Sequence, residues 1–358
     1  MAQGNESGAQ PLTGEQISRM LQHGPWPAAW QPDPSNRVSG RADAAALGRR
    51  LFFDARLSPS GRVSCSSCHR PERSWSDGRP RGIGLRAGQR NTPALTDVRL
   101  NRWFGWSGAG DSLWGQSLRP ILDPNEMGSS AAHVKAYLGS HAELSEAYAA
   151  VFGRLVARTE AQEVLVDAGK ALAAFQETIV SGRTPFDAFR DALGSNDLDG
   201  QSRYPAAARR GLVLFIGAAG CRTCHSGPAF TDGAFHVTHV HKTKLPDRGR
   251  IDGIVRLLAS PYSLAGRFSD DPAHGAHWRK DELMHSSPPA GAFRTPTLRN
   301  LTHTAPYLHD GSQPSLGAVL RTHPTGGPRL NDRDRRALEA FLVSLSASAA
   351  GAKPAVPR

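Results

Sequence analysis

The apolar positions of this chain gather into a few helical stripes, separated by long stretches that carry none. The clearest stripe starts at Thr159, where Leu165, Ala168, Leu172, Phe175 and Ile179 recur at alternating steps of three and four. That spacing keeps one face of a helix apolar. Thr159 with Gln162 predicts a capping box at its start, and Gly182 predicts its stop. "DAAALGRRLFF" predicts an earlier helix, capped by Asp43 with Leu47 and Leu51 on one face. "AAARRGLVLFIG", beginning just beyond Pro205, predicts another. A short helix in "PSLGAVLRTHP" starts at Pro314, ends before Pro324, and aligns Leu316, Val319, Leu320 and His323. A last one in "DRDRRALEAFLVSL" presents Leu338, Phe341, Leu342 and Leu345 as its stripe.

The intervening segments have a different texture. Residues 1–40 are rich in Gly, Pro and Ser without periodicity, which predicts an extended arm. Residues 72–130 are turn-rich and carry clustered aromatics in "NRWFGWSGAGDSLWGQ"; residues 226–295 are loop-rich, and 347–358 form a tail. A length of 358 residues supports two domains. Net charge is +11, yet the arginines are scattered, with no basic run of about five or six residues. This argues against a nucleic-acid partner. No stretch approaches the roughly 18 apolar residues of a membrane span. The polar start, "MAQGNESGAQP", has no export signal. It fits either a cytoplasmic protein or an exported one whose signal has been removed.

All four cysteines lie in two copies of one motif, "VSCSSCHRP" at 63–71 and "AGCRTCHSG" at 219–227. C-x-x-C-H is the attachment signature of c-type haem: the thiols form thioethers to the porphyrin, and the histidine lies under the iron. A four-cysteine zinc site or a redox dithiol would need no histidine after each pair. Cys65, Cys68 and His69 therefore form one expected haem site, and Cys221, Cys224 and His225 the other. Each copy follows an amphipathic helix. The expected fold is mainly α: two cytochrome c-like domains, 41–200 and 201–346, each with one covalently attached haem and long loops. Covalent haem c resolves the localisation in favour of the periplasm, with the export signal removed.

The far face of each iron sets the chemistry. His323, on its apolar stripe, is either a core histidine or a ligand to the second iron. Met284, His285 and the loop set His236, His239 and His241 are its rivals, the loop set reading better as solvated. No histidine occurs between Pro71 and Ala132, so the first iron is expected to stay open to a small oxidant. Glu126 could move a proton there, although a lone Glu is more often a surface residue or cap.

The stretches "LFFDARLSPSGRVSCSSCHRP", "RNTPAL", "GQSLRPILDPNEMG", "GCRTCHSGPAFTDG" and "RTPTLRNLTHTAPYLHDGSQPSL", in this order, resemble the bacterial di-haem cytochrome c peroxidase superfamily, which includes a MauG branch. The resemblance runs from about Ala44 to about Leu345. It implies that the first haem reacts with hydrogen peroxide. It places Glu126 as distal acid/base, Gln116 as pocket amide and Trp106 as the electron relay between the haems. Asn91, Thr304 and Pro306 match a calcium site between the domains. Two departures from typical peroxidases stand out. The loop "SDGRPRGIGLRAGQRN" lacks their displaceable histidine, and His323 stands where they have methionine and the MauG branch has tyrosine. Both lean toward MauG- or MbnH-like enzymes, in which peroxide yields two coupled high-valent haems that oxidise a partner protein, here with tryptophan as the expected target. The alternatives are peroxide detoxification with cytochrome c as electron donor, and a di-haem electron carrier, which an open first iron disfavours.

Overall fold

A computed structural model describes residues 11–237, 247–273, 275 and 288–347. Among them are twelve α-helices: α1 Gly14–Leu21, α2 Ala42–Phe53, α3 Leu113–Leu122, α4 Ala131–Ser140, α5 Ala142–Phe152, α6 Ala161–Gln176, α7 Pro185–Gly194, α8 Leu198–Ser202, α9 Ala206–Ile216, α10 Arg250–Ala259, α11 Leu316–Thr322 and α12 Asp332–Val343. A two-stranded antiparallel ribbon pairs β1 (Phe235–Val237) with β2 (Ala292–Arg294), and Phe235 faces Arg294. The mainly α expectation holds.

The helices enclose two apolar cores. Leu47, Leu51, Trp114, Leu118, Leu165 and Leu172 belong to the first; Phe186, Phe189, Phe215, Phe230 and Phe341 belong to the second. Each core is organised by one helix crossing. A Cβ on Gly48 of α2 would lie 1.9 Å from the Ala171 carbonyl oxygen of α6. A Cβ on Gly211 of α9 would lie 1.9 Å from that of Ala337 in α12. In both units the helix preceding the cysteine motif is thus pressed, backbone to backbone, against the unit's closing helix.

Several expectations need correction. The arm is not wholly extended. Thr13 and Gln16 form a capping box that starts α1, and Met20 is fully buried in the second core with Leu12, Ile17 and Leu21 beside it. α7 also packs there, through Phe186, Phe189 and Leu193, although sequence position groups it with the first domain. Asp43 does not cap α2: Arg41 is the N-cap, and Asp43 accepts from the Ala44 amide and the Arg41 guanidinium. Thr159 turns its hydroxyl back to the Leu155 carbonyl at 2.8 Å, so Glu160 begins α6 without a box. α6 stops at Gln176, short of Gly182. The chain beyond it is captured by Asp97, whose amide donates to the Ile179 carbonyl and whose carboxylate accepts from the Ser181 amide and hydroxyl.

The crossing gives a prediction of clear sign. Alanine in place of a helical glycine normally gains about 1 kcal/mol. At Gly211 the obstacle is a carbonyl oxygen that cannot rotate away, so Gly211→Ala is expected to cost about 1–3 kcal/mol net and lower the urea unfolding midpoint. Gly14→Ala, where nothing lies within 4 Å of the added Cβ, should leave the midpoint unchanged or raised. A Gly211→Ala variant as stable as its parent would show that the helices can separate freely.

Candidate active site

Both cysteine motifs fold the same way. Cys65–Ser67 and Cys221–Thr223 each form one 3-10 turn, and each histidine amide donates to the carbonyl of the first cysteine, at 2.9 Å for His69 and 3.0 Å for His225. Each Nδ1 then donates to a backbone carbonyl a few residues on: His69 to Trp75 at 3.0 Å, and His225 to Phe230 at 3.1 Å. Both acceptor residues are bulky yet sit in the left-handed region, with φ of 62° and 52°. Such a conformation is costly for a non-glycine residue and marks a functional constraint. A carbonyl partner on Nδ1 fixes the tautomer and leaves Nε2 for a metal. Burial keeps both rings neutral, pushing His225 down to about 4.

Burial also pushes the Cys65 thiol up to about 12 and that of Cys221 to about 11. Thiols that resist ionisation are poor redox nucleophiles. Cys65 packs against the first core and Cys221 against the second, so the two pairs do not converge into one four-cysteine zinc site. The donor set suits two separate groups, each taking two thiols and one imidazole.

The second motif opens on a cavity of about 480 Å³ lined by Cys221, Cys224, His225 and, across from them, Val319, Leu320 and His323. His323 caps α11, and its Nδ1 donates to the Pro324 carbonyl at 2.8 Å, again leaving Nε2. The ring centres of His225 and His323 are 6.4 Å apart. An imidazole nitrogen lies about 2.0–2.1 Å from a bound metal. With the ring centre about 1.1 Å beyond the nitrogen, two imidazoles on opposite sides of one metal have centres about 6.3 Å apart. The residues therefore fit a group with a central metal. His236 instead pairs with Asp232 at 2.7 Å. His239, His241, Met284 and His285 lie outside the described residues.

The same cavity is lined by Trp106, Asn91, Thr304 and Pro306. Trp106 donates from Nε1 to the Asn91 carbonyl at 2.9 Å, and its ring meets His309 edge-on at 6.4 Å. The Asn91 amide donates to the His309 carbonyl at 2.7 Å. Its side chain donates to the Arg79 carbonyl at 2.8 Å. These bonds tie the first unit to the second around the Trp106 ring.

Near the first motif, one loop organises the surroundings. The Cys68 thiol points to the Ile83 carbonyl at 3.5 Å. Two residues on, the Leu85 and Arg86 amides donate to the carbonyls of Glu126 and Asn125, at 2.9 and 2.8 Å. Residues 76–91 thereby carry Glu126 to the side of the first motif. Nearby protein, helped by Asp123 and opposed by Arg119, raises the Glu126 carboxyl above its ordinary range, although the residue is exposed to solvent. Gln116 accepts from Arg119 at 3.1 Å through Oε1, which leaves its amide N–H groups to donate elsewhere. Sequence reasoning missed the carbonyls of Trp75 and Phe230, because a backbone acceptor has no sequence signature. It also missed α1, whose T-x-x-Q pattern was legible.

A family model described as di-haem cytochrome c peroxidase matches residues 42–194. Methylamine utilization protein MauG of Methylorubrum extorquens is 37% identical over 325 residues, covering 86% of this chain and 79% of that protein. Cytochrome c551 peroxidase of Nitrosomonas europaea is 31% identical over 291 residues, covering 78% and 72%. A solved structure of a MauG-like protein associated with microbial copper homeostasis superposes with a TM-score of 0.66 at 26% identity, covering 90% of this chain and 96% of that one. No helix among the described residues is long and apolar enough to cross a membrane. With two C-x-x-C-H turns built alike on two helical cores, and with relatives spanning most of its length, this chain belongs to the di-haem cytochrome c peroxidase family of peroxide-dependent oxidoreductases.

Proposed function

We propose that the protein is a periplasmic di-haem c oxidoreductase that uses hydrogen peroxide to oxidise a partner protein, with tryptophan as the residue modified. The His225–His323 pair carries this reading, its rings 6.4 Å apart across one cavity. Two imidazoles donate more strongly than imidazole with a thioether and stabilise higher oxidation states. That suits storing oxidising equivalents better than drawing electrons from a cytochrome. The histidine-free loop at 76–91 adds support, since its backbone is bonded to Glu126 and Asn125 and it brings no imidazole to the first motif. The likeness to a methylamine utilization protein and to a MauG-like protein leans the same way.

In this reading Cys65 and Cys68 hold one haem and Cys221 and Cys224 the other. His69 and His225 would each supply an imidazole to one haem, and His323 would supply a second to the group held at Cys221 and Cys224. Bound haem supplies the redox chemistry. Glu126 would take a proton from one peroxide oxygen and return it to the other. Gln116, its Oε1 held by Arg119, orients the peroxide through its amide N–H. Trp106 relays electrons between the sites. Asn91, with the carbonyls of Thr304 and Pro306, holds a calcium ion through neutral oxygens. Haem attachment at C-x-x-C-H supports a periplasmic location.

Glu126→Gln keeps the side chain's size and removes its basicity. It should slow the reaction with peroxide by about 10²–10⁴-fold while haem content and unfolding midpoint stay at parental values. An unchanged rate would remove Glu126 from proton transfer.

His323 separates the two peroxide chemistries. The oxidised protein should show one high-spin and one low-spin signal, without a methionine–iron charge-transfer band, and His323→Ala should convert the low-spin signal to high-spin. Peroxide should act without prior reduction, and reduced cytochrome c should turn over slowly. Fast cytochrome c turnover, or a need for pre-reduction, would make the protein a detoxifying peroxidase.

A further inference from the structure

The cavity next to the second motif has an unusual charge balance. Its lining includes two arginines, Arg294 and Arg299, and no aspartate or glutamate among the described residues. Arg299 is already neutralised: its guanidinium forms a two-pronged, fully buried pair with Asp187 at 2.8 and 3.0 Å. Arg294 is not. It is 7% exposed, and its bonds go to uncharged acceptors: the Gly105 carbonyl at 3.4 Å, the Asn101 side-chain oxygen at 3.2 Å and the Thr295 carbonyl at 3.3 Å. These are long for charge-assisted hydrogen bonds. Burial alone, with no acidic group opposing it, pushes the guanidinium down to about 10. A buried charge lacking a counterion is strongly destabilising.

The place of this cation matters as much as its isolation. The Arg294 amide donates to the Trp106 carbonyl at 2.9 Å, and its side chain reaches the adjacent Gly105. An uncompensated positive charge there would oppose any positive hole on the Trp106 ring.

We infer that Arg294 is the binding site for a carboxylate carried by the group in this cavity, namely a haem propionate, and that the pair sets the reduction potential of the second haem. The inference rests on the proposed attachment of haem at Cys221, Cys224 and His225. A mainly apolar cavity with one unneutralised guanidinium matches a ligand that is apolar over most of its body and carboxylated at one edge. Arginine is suited to such a partner, because its planar fork meets both oxygens of a carboxylate. Bound in this way, the carboxylate stays ionised at neutral pH and cancels the charge next to Trp106.

The test uses the haem-loaded protein and reads the midpoint potential of the low-spin haem from pH 5 to pH 8. In the parent the midpoint should be nearly flat, since a carboxylate paired with Arg294 titrates below this window. Arg294→Gln leaves that carboxylate without its cation and raises its pKa into the window. Its midpoint should become pH-dependent and, at pH 8, shift to disfavour reduction by about tenfold, or 59 mV for one electron. Arg294→Lys, which keeps the charge, should stay close to the parent. A flat, unshifted Arg294→Gln profile would overturn the inference, as would an Arg294→Lys profile identical to that of Arg294→Gln. Absence of covalent haem at the second motif in the parent would instead overturn the attachment reading, and a haem stain on a denaturing gel distinguishes that failure.

Discussion

Everything that faces the two C-x-x-C-H turns depends on one steric constraint, the backbone contact between a glycine and the helix that closes its unit. Gly48 meets the Ala171 carbonyl, and Gly211 meets that of Ala337, at distances no side chain could share. This contact fixes how deep α2 and α9 lie, and so where the loops that follow them emerge. The cysteines and histidines are delivered from those loops. A second constraint then sets ring orientation: Trp75 and Phe230, held at positive φ, aim carbonyls at Nδ1. Their side chains are buried in the aromatic parts of the cores, Trp75 against Phe52 and Phe175, and Phe230 against Phe186 and Phe215. Packing thus holds the strained backbone in place.

Between the units, the loop that carries Trp106 is gripped from several directions. Asn91 accepts from its indole, Arg294 bonds its backbone, and α10 presses Gly253 to within 1.9 Å (as a Cβ) of the Ser107 carbonyl. Arg250, stacked over Trp103 and Phe235, donates to the Gly108 carbonyl at 2.6 Å. The backbone bonds and close packing around this loop leave the Trp106 ring little freedom to move.

The sequence made the helices legible wherever an apolar stripe was long, as in α6, α9 and α12, because burial of one face is what stabilises them. Helix ends were read less well. Thr159 and Asp43 had the right residue types for caps, but their side chains found nearer partners in the Leu155 carbonyl and Arg41. The cysteine motifs were plain, since their spacing is dictated by chemistry more than by fold. The facing of His323 and His225 was only half legible. Position on a stripe cannot say which ring lies opposite, and that needed the packing of α11 against the cavity. Arg294 was invisible, as nothing in "GAFRTPT" distinguishes a buried arginine from a solvated one.

The helix α1 joins a segment near the start of the sequence to a core assembled from residues 185–345, with Met20 fully buried there. Ser35 and Val38, a few turns of chain later, are buried in the first unit, Ser35 accepting from the Trp114 indole. The arm is therefore a clasp, and the whole first unit lies inside the loop it closes. Closing so long a loop costs only slightly more entropy than closing a short one. In return, the two units cannot drift apart without first pulling a helix out of an aromatic core. Chain connectivity thereby acts as a ruler, limiting how far the span between the two cysteine motifs can change.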